Sequence, residues 1–185
     1  DLMLGYRYAY TYSFACKRDS TRSFIMSARE EKYDRQIRLW AHAGQARLAQ
    51  AHICLINANA AGTETLKNLV LPGVGAFTVL DDRTVTESDL SGNFFIENEH
   101  LGINIARATA ECLQELNPDV KGLYSEWLLE KALESPAWWA RFTTVVVSGY
   151  TPPELLERLK AILWDLSLPL LFIATSGFYA SLTVL

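Results

Sequence analysis

Residues 53–75 read ICLINANAAGTETLKNLVLPGVG, and the reading of this stretch decides the fold. It opens inside an apolar run, residues 52–57, short enough for a parallel strand buried on both faces. A turn of asparagines and alanines follows, then residues 63–71, where Leu66, Leu69 and Val70 recur at helical spacing. Pro72 and Gly73 stop that helix. Strand, tight turn and helix in this order cradle phosphate when the turn is G-x-G-x-x-G, because glycines let the backbone approach and the helix N-terminus attracts the anion. Here the register is Asn57-Ala58-Asn59-Ala60-Ala61-Gly62. Only the final glycine remains, the one that lets the helix pack on the strand. Asn57 and Asn59 tolerate left-handed backbone, so the turn can form, but their side chains fill space that phosphate oxygens need.

The flanking sequence repeats the alternation. Ser27 and Glu30 have capping-box spacing and open a helix through Trp40, with Tyr33, Ile37 and Trp40 on one face. Gly44 loosens it before a polar turn over residues 45–50. Residues 76–80 form the second strand, ending at Asp81-Asp82, and residues 84–98 read as a polar loop turning at Ser91-Gly92. A helix over 100–116 carries Ile103, Ala106, Ala110 and Leu113, and Asn117-Pro118 closes it. A short strand at 120–124, a small helix at 127–133 and a β-branched strand at 143–147 follow. Pro152-Pro153 introduces a helix to residue 166, with Leu155, Leu159, Ile162 and Leu163 inward, before a strand at 170–174. Alternating strands and helices imply right-handed crossovers. The predicted class is α/β, a Rossmann-like, mostly parallel sheet with helices on both faces, truncated at the C-terminus.

Composition narrows the function. The 185 residues fit one domain, with half of them apolar and 21% charged. A net charge of −4 carries no global basic footprint for nucleic acid or an anionic membrane. The apolar stretch 161–174 is broken by Asp165 and Pro169, short of the roughly 18 uninterrupted apolar residues of a spanning helix. Cys16, Cys54 and Cys112 lack disulfide or zinc-ligand spacing, and His42, His52 and His100 are scattered, so no metal site is expected. Trp138-Trp139 beside Phe142 fits core packing more often than a partner surface. Residues 1–25 differ in composition from the rest: a targeting presequence is one reading, and sequence upstream of a start at Met26 is the other and the expected one. Residues 26–185 form the expected partial domain. The chain opens on Asp1 and stops at Leu185 inside a strand-like run, as a fragment does.

Several motifs in order point further. Tyr33-Asp34-Arg35-Gln36-Ile37-Arg38-Leu39-Trp40, then Gly44-Gln45, Gly62-Thr63-Glu64 and the run from Lys67 to Gly75, resemble enzymes that activate ubiquitin-like modifiers, the ThiF-type superfamily. Asp89-Leu90-Ser91-Gly92-Asn93-Phe94-Phe95 and Leu113-Gln114-Glu115-Leu116-Asn117 extend the likeness to the regulatory, adenylation-inactive subunits of the neddylation pathway. The equivalent subunits of the sumoylation enzyme are the nearest competitor. The resemblance implies a pseudo-adenylation domain that pairs with a catalytic adenylating subunit, with ATP and magnesium bound in that partner and a ubiquitin-like modifier engaged through the complex. Cytoplasm or nucleus is the implied location.

Active members of the family carry an ATP-contacting arginine where this sequence has Gly92. The inactive half is expected to lend an arginine to the partner's ATP, and the matching position is Arg35. From spacing alone, Arg35 reads as a solvated helical residue pairing with Glu31, a contact worth only about 0.2–0.5 kcal/mol, and it is the resemblance that favours the phosphate role. Asp82 lies twenty positions after Gly62, about where a ribose-binding carboxylate belongs, and reads as a residual acidic position. Neither Cys54 nor Cys112 is expected to be a nucleophile. A self-sufficient adenylating enzyme or dinucleotide oxidoreductase is the competing class, and it requires the missing glycine turn; an inert truncated fragment is a third reading.

Overall fold

Apolar residues on successive strands point alternately to two separate cores, and this explains why the central strands read as continuous apolar runs. In the computed structural model, which describes residues 31–185, Ile53 and Leu55 of β1 (His52–Ile56) pack with Phe77 and Val79 of β2 (Ala76–Leu80) on one face. Cys54 and Ile56 point to the other, among Val145 and Val147 of β4 (Thr144–Ser148). Five parallel strands and one antiparallel edge strand stand in the order β3-β2-β1-β4-β5-β6, with β3 at Lys121–Ser125, β5 at Leu170–Ser176 and β6 at Tyr179–Val184. The expected mostly parallel α/β sheet is present, and Tyr33–Leu185 forms one compact unit.

The first core is roofed by α2 (Ala60–Val70) and α4 (Ile105–Leu116), through Leu66, Val70, Ile105, Ala106 and Leu113. The second is roofed by α5 (Leu129–Leu133), α6 (Pro136–Trp139) and α7 (Pro153–Asp165), with Leu159 and Leu163 fully buried. Trp139 and Phe142 are core residues here: the Trp139 indole N–H donates to the Ala132 carbonyl at 3.0 Å. Trp138 meets Trp139 edge-on and carries the Arg141 guanidinium 4.3 Å from its ring centre. Among the described residues no helix is long and apolar enough to cross a membrane.

Several boundaries differ from the sequence reading, each for a local reason. The loop expected over 84–98 contains a helix, α3 (Glu87–Gly92), started where the Asp89 carboxylate accepts from the Thr86 N–H and hydroxyl at 2.9 and 2.7 Å. α4 begins at Ile105 rather than 100, because Asn104 caps it by accepting from the Arg107 N–H at 3.1 Å. Ile103 therefore lies outside that helix. β5 extends to Ser176 and is only half-buried beyond Leu170, since β6 beyond it is exposed along its length.

The opening helix departs furthest. α1 (Asp34–Gln50) has no buried residue, and it breaks at Trp40 and Ala41. Ala41 stands at φ 60°, ψ 172°, a region reserved in practice for glycine. The expected apolar face of Tyr33, Ile37 and Trp40 reduces to Tyr33, which is buried just before the helix, while Trp40 turns partly to solvent. The Ser27–Glu30 box, Cys16 and Met26 lie outside the described residues.

Candidate functional site

After β1 the chain adds strands on one side, β2 and β3, and then crosses to add β4 and β5 on the other. That reversal opens a crevice at the carboxyl ends of β1 and β4, where open α/β sheets hold their ligands. The turn from β1 to α2 lies in this crevice. Asn57 supplies its sharp bend at φ 66°, a left-handed conformation that asparagine tolerates. Its Nδ2 donates at 3.3 Å to the Tyr150 carbonyl and at 3.3 Å to the Thr151 hydroxyl, in the segment after β4.

Two backbone donors of the turn, the Ala58 and Gly62 N–H groups, are taken by side chains of the chain itself. Asn59 is the N-cap of α2, and its Oδ1 accepts from the Gly62 N–H at 3.0 Å and from the Ser148 hydroxyl at 2.6 Å. The buried Asp81 carboxylate accepts from the Ala58 N–H at 2.8 Å. Arg83 neutralises Asp81 with a two-pronged contact, Nε to Oδ1 at 3.0 Å and a terminal guanidinium nitrogen to Oδ2 at 2.7 Å. Asn93 closes the network from α3: its Nδ2 donates to the Ala58 carbonyl at 3.3 Å, and its Oδ1 accepts from the Thr63 hydroxyl at 3.2 Å. The Asp81–Arg83 pair takes one backbone donor of the turn, and an asparagine oxygen occupies the helix N-terminus. The residues present do not fit a bound nucleotide.

Gly62 has a steric duty. A Cβ there would lie 2.9 Å from the Asn57 carbonyl oxygen and 3.0 Å from Leu55 Cδ1 and Ser148 Cβ, so α2 could not sit this close to β1 and β4. Gly92 is different: it is exposed at the end of α3, and a Cβ there would meet nothing within 4 Å. Packing does not demand glycine at that position. Asp82 faces solvent and joins none of these contacts, whereas Asp81, one residue earlier, is the carboxylate that reaches the turn. The first residue past β2 points inward, so Asp81 meets the turn while Asp82 points away from it. Arg35 is exposed on the first turn of α1 and makes no ion pair among the described residues; the helical pair forms instead between Asp34 and Arg38, at 2.8 Å.

Residues 33–185 match the ThiF family. The chain belongs to that family. Its curated relatives include the NEDD8-activating enzyme E1 regulatory subunits of Xenopus laevis, 44% identical over 162 residues, and of Danio rerio, 45% identical over 151 residues. Those alignments cover 87% and 82% of this chain but 30% and 28% of the relatives, so the chain spans under a third of their length. Among solved structures, a crystal structure of PaaA superposes with a TM-score of 0.75 at 18% identity, covering 90% of this chain and 58% of that one. That likeness concerns the fold alone.

The cysteines and His52 of this ThiF domain lie away from the turn. Burial pushes the Cys54 thiol far above its ordinary range, and burial and then nearby glutamates raise that of Cys112. Neither is poised as a nucleophile. His52 accepts or donates to the Thr78 hydroxyl at 2.8 Å, and burial, then Arg141, hold its pKa below the usual imidazole value. Among the described residues no three His, Cys, Asp or Glu side chains gather as a metal site. The sequence reading missed Asp81, Arg83, Asn93, Ser148 and Thr151. The one sequence signal was an Asp directly after an apolar strand, two residues before an Arg; the others meet the turn only through the fold.

Proposed function

We propose that this chain is part of a non-catalytic regulatory subunit that pairs with a catalytic adenylating subunit to activate a ubiquitin-like modifier in neddylation. The observation that carries the reading is the self-filled turn: Asn59 and Asp81 hold the two backbone donors a nucleotide would need. The sequence identity to regulatory subunits supports it. ATP and magnesium then belong to the partner, and this chain contributes support, with Arg35 reaching the partner's ATP. A guanidinium suits that task because it is planar, permanently charged and matched to phosphate oxygens as charge redistributes. Asp82 has no nucleotide to bind in this scheme, and the complex works in the cytoplasm or nucleus.

The test is Arg35→Ala in the complex with a catalytic subunit, read by ATP–pyrophosphate exchange with NEDD8 as modifier. Exchange is expected to fall by about 10-fold or more while the complex still elutes as a heterodimer. Unchanged exchange, or ATP binding by this chain alone in calorimetry, would sink the reading. Adenylation of a different modifier by the same complex would reassign the pathway.

A further inference from the structure

The first turn of α1 carries Arg35, and no buried side chain of that turn fixes its direction. No residue of Asp34–Gln50 is buried, and the break at Trp40–Ala41 uncouples the first segment from the second. What holds the first segment is the residue just before it. Tyr33 is 2% exposed, and its carbonyl starts the helix by accepting from the Ile37 N–H at 2.9 Å. Its ring lies against Gly73, where a Cβ would come 2.7 Å from both Cζ and the hydroxyl oxygen. The hydroxyl donates to Asp119 Oδ2 at 3.1 Å and accepts from Asn117 Nδ2 at 2.9 Å.

Asn117 is itself 1% exposed and also donates to the Val70 carbonyl at 2.8 Å. The clamp thus ties the start of α1 to the far end of α2, the helix whose N-terminus is the self-filled turn. A second brace holds the segment's other end, where the Trp40 indole donates to Gln45 at 3.0 Å and Gln45 donates to the Pro72 carbonyl at 2.8 Å. Pro72 and Gly73 adjoin each other, so both attachments converge on the loop after α2.

We infer that Tyr33, held by Asn117 and Asp119, is a positioning residue that aims Arg35, an inference resting on the role proposed for Arg35 above. A charged fork acts on a phosphate only when its direction is fixed beforehand, and a displacement of about 1 Å costs on the order of 100-fold in rate. The buried hydroxyl fixes the backbone two residues before Arg35, whereas the Trp40–Gln45–Pro72 brace acts at the far end of the segment.

The test is a double-mutant cycle in the complex with a catalytic adenylating subunit, read by ATP–pyrophosphate exchange. Tyr33→Phe keeps the ring on Gly73 and removes only the hydroxyl. It is expected to slow exchange by about 5- to 20-fold without changing the KM for the modifier. In an Arg35→Ala background it should change nothing further, because both residues act through one guanidinium. Asp119→Ala, at an exposed carboxylate, should reproduce the effect at about 2- to 5-fold, and it replaces Tyr33→Phe in the cycle if that variant does not assemble. Independent, multiplicative losses would make Tyr33 a stability residue and overturn the inference. Wild-type exchange in Tyr33→Phe, with Arg35→Ala impaired, would overturn it alone; wild-type exchange in Arg35→Ala would overturn the role of Arg35 as well.

Discussion

Asn59→Ala removes the oxygen that fills the head of α2, and its cost can be built from the two hydrogen bonds that this oxygen accepts. The Gly62 N–H loses its cap, which costs about 1 kcal/mol, within a range of about 0.5–2. The Ser148 hydroxyl, fully buried, loses its acceptor at 2.6 Å, and a buried donor left unpaired costs about 1–3 kcal/mol. The expected loss is therefore about 3 kcal/mol. For a domain of this size that lowers the Tm by about 6–12 °C. Urea unfolding followed by far-UV circular dichroism measures it directly. Because both losses pass through one oxygen, adding Ser148→Ala should recover about 1 kcal/mol relative to the sum of the single changes. A cost under about 0.5 kcal/mol for Asn59→Ala, or strict additivity with Ser148→Ala, would refute the view that this side chain holds the turn together.

Glycine is needed at one position of the degenerate site and not at the other. Gly62→Ala should cost about 1–3 kcal/mol by driving a Cβ into the Asn57 carbonyl, whereas Gly92→Arg should stay within about 0.5 kcal/mol of the parent in the same unfolding assay. Ala41→Gly should raise stability by about 1 kcal/mol, since relief of a backbone conformation costing about 1–3 kcal/mol outweighs the added chain entropy of about 0.5–1 kcal/mol. His52 titrates lower in the folded chain than unfolded, so the unfolded state binds the extra proton and stability falls as pH drops below about 6.5. His52→Gln should flatten that part of the pH profile; an unchanged slope between pH 7 and the acid limb would count against it.

How much of the site was legible in the sequence depends on whether its contacts are local. The missing glycines and the packing glycine at Gly62 fall within six residues of one another and follow from backbone geometry alone, whereas the helix expected from Thr63 is capped earlier, by Asn59. The rest of the network joins positions far apart. Ser148 lies 89 positions from Asn59, and Thr151 lies 94 from Asn57. Asp81 was visible only as one of two adjacent acids, and solvent exposure of Asp82 decided between them. Helix starts failed for local reasons: the short helix capped by Thr86 with Asp89 has too little apolar periodicity to announce it, and the Asn104 cap starts the longer one five residues later than its periodicity suggested.

By itself the sequence determined the α/β class, because fully apolar strands alternating with helical periods leave only a parallel sheet covered on both faces. It also determined that asparagine side chains stand where phosphate oxygens would need space. Only the tertiary structure decided what took the phosphate's place. Adding β4 beside β1 brings Ser148 and Thr151 to the turn, and the end of β2 brings Asp81, so side chains at and beyond the ends of two neighbouring strands close on the turn. Hydrogen-bond donors at a buried helix head must be satisfied. In this chain Asn59 satisfies the Gly62 N–H and Asp81 that of Ala58.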